Sequence, residues 1–262
     1  DFSSFLAGYQ DRAVTDTQLR VSGLNPNADY HVRVRATNAQ HTSLSSPTAR
    51  VQTQKAAPVV TTEAATDITA SEATLNGRVE ARNDATQVAF EYGLTSLYGA
   101  TLAAVPETVS GLTPTAVTAR LTGLTPGTVY HLRVRAQSGG GTTYGLDRTL
   151  LTLPAAPALG APSAVGPGGF TIAWAGVSSA ERYELWVATQ ADFGGGLVGG
   201  TPLDLGGATT HTLTGLSPAS TYHVRVRAAN ATGWGAFSAP VQVGLVPAAP
   251  TLSATDLRPE GF

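Results

Sequence analysis

Leu24-Asn25-Pro26-Asn27-Ala28-Asp29-Tyr30-His31-Val32-Arg33-Val34-Arg35-Ala36 is the stretch from which the fold can be read. After Tyr30 the residues alternate: Val32, Val34 and Ala36 fall on one side, His31, Arg33 and Arg35 on the other. A period of two is the mark of a strand with one face inward and one outward. The leucine and proline ahead of it signal a turn at the strand's entrance. The stretch returns as Leu124-Thr125-Pro126 with Tyr130-His131-Leu132-Arg133-Val134-Arg135-Ala136, and again as Leu216-Ser217-Pro218 with Tyr222-His223-Val224-Arg225-Val226-Arg227-Ala228. The three tyrosines are 100 and 92 residues apart, one β-sandwich domain each.

The Leu-x-Pro-x-x-x-Tyr spacing places the tyrosine ring in a core and leaves its hydroxyl free to bond backbone just upstream. That is the tyrosine corner of Greek-key sandwiches. Tyr30, Tyr130 and Tyr222 are therefore expected to be structural corner residues, and the fold class is all-β, a series of Greek-key sandwiches.

These segments resemble strands E to F of the fibronectin type III family. Residues 157–247 carry the resemblance most fully: Phe170-Thr171-Ile172-Ala173-Trp174 resembles strand B with Trp174 as its core tryptophan, and Tyr183-Glu184-Leu185-Trp186-Val187 resembles strand C. Asn230 through Gly235 and Ser238-Ala239-Pro240 resemble the F–G loop and the start of strand G. Residues 58–153 resemble a bacterial variant of the family, with Ala73-Thr74-Leu75-Asn76-Gly77 as strand B and Phe90-Glu91-Tyr92-Gly93 as strand C. No tryptophan stands on that strand B, and Leu75 is expected to fill its volume.

The resulting partition is a partial domain at 1–55 holding only the strands after C, domains at 58–153 and 157–247, and the first strand of a further domain at 250–262. Ala56-Ala57-Pro58, Ala155-Ala156-Pro157 and Ala248-Ala249-Pro250 stand between them as short, semi-rigid linkers of an elongated array. Asp1-Phe2 aligns with Asp192-Phe193, and Gly261-Phe262 with Gly169-Phe170. The chain is thus expected to be an excerpt of a longer array or one unit of a fibre completed head to tail by strand addition. Tail donation alone lacks the counterparts of Thr171 through Ala191, most of strand B and all of strand C.

Composition excludes several chemistries. Charged residues are 13% of the chain against a usual ~25%, the net charge is −2, and the pI is near 6.2, so no basic surface for nucleic acid is expected. Cysteine is absent, which removes disulfides, thiolate metal sites and cysteine nucleophiles. Methionine is absent too, the mark of a processed product or an excerpt. No apolar run is long enough to span a bilayer. The Ala, Gly and Arg bias, with Lys55 as the sole lysine, points to a GC-rich bacterial genome.

No catalytic, cofactor or metal constellation is found. His31, His131 and His223 occupy equivalent outward places in separate domains, and His41 and His211 stand in loops without ligand partners at suitable spacing. Gly139-Gly140-Gly141 and Gly194-Gly195-Gly196 read as turns, since neither is followed by the Lys-Ser/Thr of a phosphate loop. Arg33 with Arg35, Arg133 with Arg135 and Arg225 with Arg227 form outward stripes, either paired across strands with Glu91 and Glu184 or open to an anionic polysaccharide. Trp234, in the Asn230–Gly235 segment, either packs over the sandwich end or serves as a contact residue. Asn230-Ala231-Thr232 is a glycosylation sequon.

The resemblance implies a non-enzymatic extracellular or cell-surface spacer with adhesive or filament-forming use. Its expected partners are copies of itself or flanking domains of the same polypeptide, with polysaccharide second and nucleic acid none. The alternatives it also implies are a spacer region of a secreted polysaccharide-degrading enzyme and a phage tail or host-recognition protein.

Overall fold

The computed structural model describes residues 4–199 and 202–251. Every regular element among them is a strand, and the pairing is antiparallel throughout the registers resolved. Among the described residues no helix is long and apolar enough to cross a membrane.

The first Tyr stretch forms β1 (Asp29–Val32), which pairs with β2 (Ala49–Gln52) so that Tyr30 faces Val51. Alternation continues past β1, but its apolar side stays open. Val32, Val34 and Val51 are 43%, 66% and 49% exposed, whereas Val224, Val226 and Val243, their counterparts in the third copy, are 0%, 0% and 2% exposed. The residues are those of an interior face; the described part of the chain lays nothing over it.

Eight strands follow: β3 (Val59–Thr62), β4 (Glu72–Glu80), β5 (Thr86–Gly93), β6 (Ala100–Val109), β7 (Thr115–Thr122), β8 (Val129–Ser138), β9 (Gly141–Tyr144) and β10 (Arg148–Leu151). Their hydrogen-bonded order is β10-β8-β5-β6-β7-β4-β3, with β9 added on β8. This is one continuous array where a sandwich has two separate sheets. The cause is β6, whose two ends, residues 100–103 and 108–109, pair with β5 while Val105 between them pairs with Thr118 of β7. Inward residues alternate as the sequence requires: Leu75 and Val79 from β4, Val88 and Phe90 from β5, Val117 from β7, Leu132 and Val134 from β8 are fully buried. At Gly77 the layers come so close that a Cβ would stand 2.4 Å from Val134 Cγ2 and 2.9 Å from Thr61 O, so no other residue fits there.

The last strands are β11 (Ser163–Gly166), β12 (Gly169–Ala173), β13 (Arg182–Ala188), β14 (Leu203–Asp204), β15 (Thr210–Leu213), β16 (Thr221–Asn230), β17 (Gly233–Trp234) and β18 (Val241–Gly244). They form a three-stranded sheet, β11-β12-β15, and a five-stranded one, β14-β13-β16-β17 with β18 also on β16. Between them lies a core of Phe170, Ile172, Trp174, Tyr183, Leu185, Val187, Leu213, Leu216, Tyr222, Val224, Val226 and Val243. Trp174 follows β12, bridges to Leu159 and holds its ring 5.7 Å from that of Tyr183, tilted by 59°. Asn230–Gly235 is not an open loop. It is a tight return in which β17 pairs back on β16, Trp234 opposite Ala229.

By compactness the chain forms two units. One holds Asp1–Thr66, Thr74–Arg120 and Tyr130–Thr149; the other holds Asp67–Ala73, Leu121–Val129 and Leu150–Phe262. The division cuts across residues 58–153 because hydrogen bonds tie three of their stretches together within the second unit. Leu124 N–H donates to Ser71 O, Leu153 N–H to Thr69 O, and Gly127 N–H to Leu153 O. The strand expected at 250–262 lies, beyond Thr251, outside the described residues.

Leu185 is completely buried on β13. Leu185→Ala is expected to lower unfolding free energy by about 2–5 kcal/mol, the usual range for a cavity of that size, measured by urea denaturation followed by tryptophan fluorescence.

Candidate functional site

At Tyr30 and Tyr222 the phenol oxygen bonds backbone just upstream. Tyr30 Oη accepts the Asn25 N–H at 2.8 Å, and the buried Tyr222 Oη accepts the Ser217 N–H at 3.0 Å. Each reaches five residues back. Tyr130 is half-buried at the equivalent entrance to β8. Sequence reasoning missed a second clasp: Thr53 Oγ1 accepts the Ala28 N–H and donates to Asn25 O, and the buried Thr152 Oγ1 accepts the Thr128 N–H and donates to Thr125 O. A threonine 22 or 23 residues after the corner tyrosine was its signal; Leu245 replaces it in the third copy.

The outer face of β13 and β16 is where charge and aromatic surface meet. Register puts Glu184 opposite Arg227 and Trp186 opposite Arg225. Arg227 forms an ion pair with Glu184 while its guanidinium lies 4.7 Å from both the Trp234 and Phe237 rings. Arg182 stacks on Trp234 as well, at 4.7 Å, and reaches Asp204 at 3.5 Å. Arg225 packs against three rings, at 4.6 Å from Trp186, 4.1 Å from Phe193 and 4.0 Å from Phe237. Its Nε and Trp186 Nε1 are buried without hydrogen-bond partners among the described residues. Burial first, and the neighbouring Arg227 charge second, lower the Arg225 pKa; a guanidinium stays charged regardless. Each such contact is worth roughly 0.5–1 kcal/mol where water still reaches it.

A parallel arrangement covers β5 and β8. Arg133 pairs with Glu91 at 2.7 Å, directly across the register, and lies 4.5 Å from the Tyr98 ring and 4.1 Å from that of Tyr144. Tyr98 Oη donates to Asp147 Oδ1 at 2.8 Å, and His131 Nδ1 stands 2.8 Å from Asp147 Oδ2. Burial works to raise the Asp147 pKa, but the hydrogen bonds from His131 and Tyr98 outweigh it and hold the carboxyl below its ordinary value. Tyr98 moves the other way: its burial, then its bond to Asp147, raise the phenol.

The histidines are placed apart. His131 has Asp147, while His31 and His41 are exposed and His211 and His223 half-buried on other strands or loops. No group of three or more His, Cys, Asp or Glu able to hold a metal occurs among the described residues. Trp234 carries guanidinium partners rather than standing free. The sequon is also occupied: the Asn230 side chain is buried, and its Nδ2, the atom a glycan would use, donates to Thr152 O at 2.8 Å. What these faces can do chemically is hold the loops after β5, β9, β13 and β17 to the strands beneath them.

Residues 156–244 match the fibronectin type III domain family. A 43-residue stretch is 54% identical to human contactin-2, covering 16% of this chain and 4% of that protein, so the chain spans a small fraction of this relative's length. Among solved structures, the FN1–FN3 domains of chicken CNTN1 match over 84% of this chain and 78% of that one, at 19% identity and a TM-score of 0.35. A two-domain fibronectin type III segment of chicken tenascin matches over 70% of this chain and 97% of that one, at 17% identity and a TM-score of 0.39.

Two outcomes follow from the geometry. Tyr222→Phe keeps the ring and deletes the bond to Ser217, and is expected to lower stability by about 0.5–1.5 kcal/mol in chemical denaturation. The depressed Asp147 carboxyl contributes stability above the ordinary aspartate pKa of about 3.9 and loses it as pH falls through its lower folded value. In thermal melts between pH 7 and pH 2, Asp147→Asn is therefore expected to flatten the acid limb of the melting curve; an unchanged limb would count against the assignment.

Proposed function

We propose that the chain is a non-enzymatic structural and adhesive spacer of an extracellular or cell-surface protein, built from successive fibronectin-type-III-like sandwiches at 58–153 and 157–247. The observation that carries this reading is the use made of the outward arginines. Arg133 and Arg227 are engaged by the chain's own carboxylates and rings, which stiffens the sandwiches and leaves little of that stripe for an anionic polysaccharide. The family match over 156–244 and the short likeness to contactin-2 support a spacer of this type.

The adhesive part of the reading is self-association through the 1–55 segment, in a filament of a bacterial surface protein. Its support is the open apolar side formed by Val32, Val34 and Val51. An exposed face of this kind favours association over solvation. Sedimentation velocity and negative-stain electron microscopy of the purified chain test it. Concentration-dependent assemblies are expected, and Val34→Glu with Val51→Glu is expected to abolish them. A chain that sediments as a monomer across the accessible concentration range removes self-association from the reading, and a hydrolytic activity on polysaccharide removes the non-enzymatic part.

A further inference from the structure

The segments that follow the first two corner copies are fastened by different chemistry. In residues 53–57 the fastening is ionic. Lys55 Nζ lies 2.7 Å from Asp84 Oδ1, and the Asp84 side chain is only 8% exposed. The Gly139-Gly140 turn closes over the pair: a Cβ on Gly139 would stand 2.6 Å from Lys55 Nζ and 2.9 Å from Asp84 Oδ2, and one on Gly140 would stand 2.2 Å from Ala56 O. Beside it, Asn27 Nδ2 donates to Asn83 O at 2.6 Å and Asn83 Nδ2 to Pro26 O at 3.3 Å. Both asparagines are left-handed, at φ 47° and 61°, a conformation asparagine tolerates better than most residues.

In residues 150–154 the fastening is neutral. Asn230 Nδ2 donates to Thr152 O at 2.8 Å and to Ser179 Oγ at 3.2 Å, while its Oδ1 accepts the N–H groups of Thr232 and Gly233. Thr232 Oγ1 donates to Leu151 O at 2.8 Å. A Cβ on Gly235 would stand 2.4 Å from Pro154 O. None of these groups carries a charge.

We propose that residues 53–57 form an ionic latch that acid, salt or neutralisation of Lys55 opens, and that residues 150–154 form an amide lock indifferent to all three. The inference rests on the spacer reading only for its use, since it assigns a yielding point and a fixed point in one chain. The physical ground is the poorly hydrated Asp84 carboxylate, which needs a cation because desolvated charge is costly. Lys55 is the charged group that acts on it, holding the carboxyl below its ordinary value against the opposing effect of burial. Nearby, Arg82 pairs with Glu80, the last residue of β4, at 3.1 Å. Half of Lys55 remains in water, so salt reaches the pair.

The chain has no cysteine, so Leu44→Cys and Leu97→Cys, at two exposed sites, give one clean pair of spin labels. Double electron–electron resonance then reads the distance distribution between the 1–55 segment and the turn that follows β5. A roughly twofold broadening is expected in Lys55→Met, in Asp84→Asn, and in roughly 1 M salt, where the screening length falls to about 3 Å. Asn230→Ala is expected to leave it unchanged while raising deuterium uptake in residues 150–154. Circular dichroism melts confirm that each variant is folded. A distribution in Lys55→Met as narrow as in the parent, or one broadened equally by Asn230→Ala, overturns the proposal. Neither result bears on whether the chain assembles or catalyses.

Discussion

A strand that is valine on one side and arginine on the other must find two very different partners, and β8 and β16 both do so. Inward, Leu132, Val134, Val224 and Val226 are fully buried, which supplies most of the drive for bringing two layers together. Outward, Arg133, Arg225 and Arg227 would be long, mobile cations. They lie instead against Tyr98, Tyr144, Trp186, Trp234 and Phe237. The guanidinium is suited to this because it is planar and weakly hydrated. Strand pairing, corner and loops are arranged around that two-sided strand.

Periodicity and spacing made the inward side legible. Val224, Val226 and Ala228 alternate in the sequence as they do in the core, and the reach of Tyr30 and Tyr222 to a backbone N–H five residues upstream is a local relation that a motif can hold. Glu91 and Glu184 were legible for a related reason, since a register between neighbouring strands fixes which residues face each other. The partners from loops were not. Tyr98 and Asp147 are 49 residues apart, and only the folded course of the loops after β5 and β9 brings them together. The same holds for Phe193 and Phe237 on Arg225. β17 escaped notice because two residues are too few to show alternation, and the bridging role of β6 because its residues continue one strand pattern across both layers.

The three copies diverge where they differ in what surrounds them. The third closes both sides of its core; the first shows the same valines with one side uncovered. Where a threonine clasps the turn in the first two, the third has Leu245, buried in its core cluster. The contacts at residues 53–57 and 150–154 are equally individual, one ionic and one built from amides and hydroxyls. A repeated corner therefore does not imply repeated connections. The corner is set by local backbone chemistry, the connections by which side chains the following turns present.

Arginine supplies all but one of the 16 lysine and arginine side chains, and the exception, Lys55, sits in the segment between the first corner copy and the strands that follow it. Reagents that acylate side-chain amines thus have one address in 262 residues, and an endoprotease specific for lysine has one cleavage point. Cutting there would part the chain between β2 and β3 without severing any strand. The rate of either reaction reports on how often that ammonium leaves its carboxylate, which makes an ordinary labelling time course a direct gauge of the chain's internal fastening.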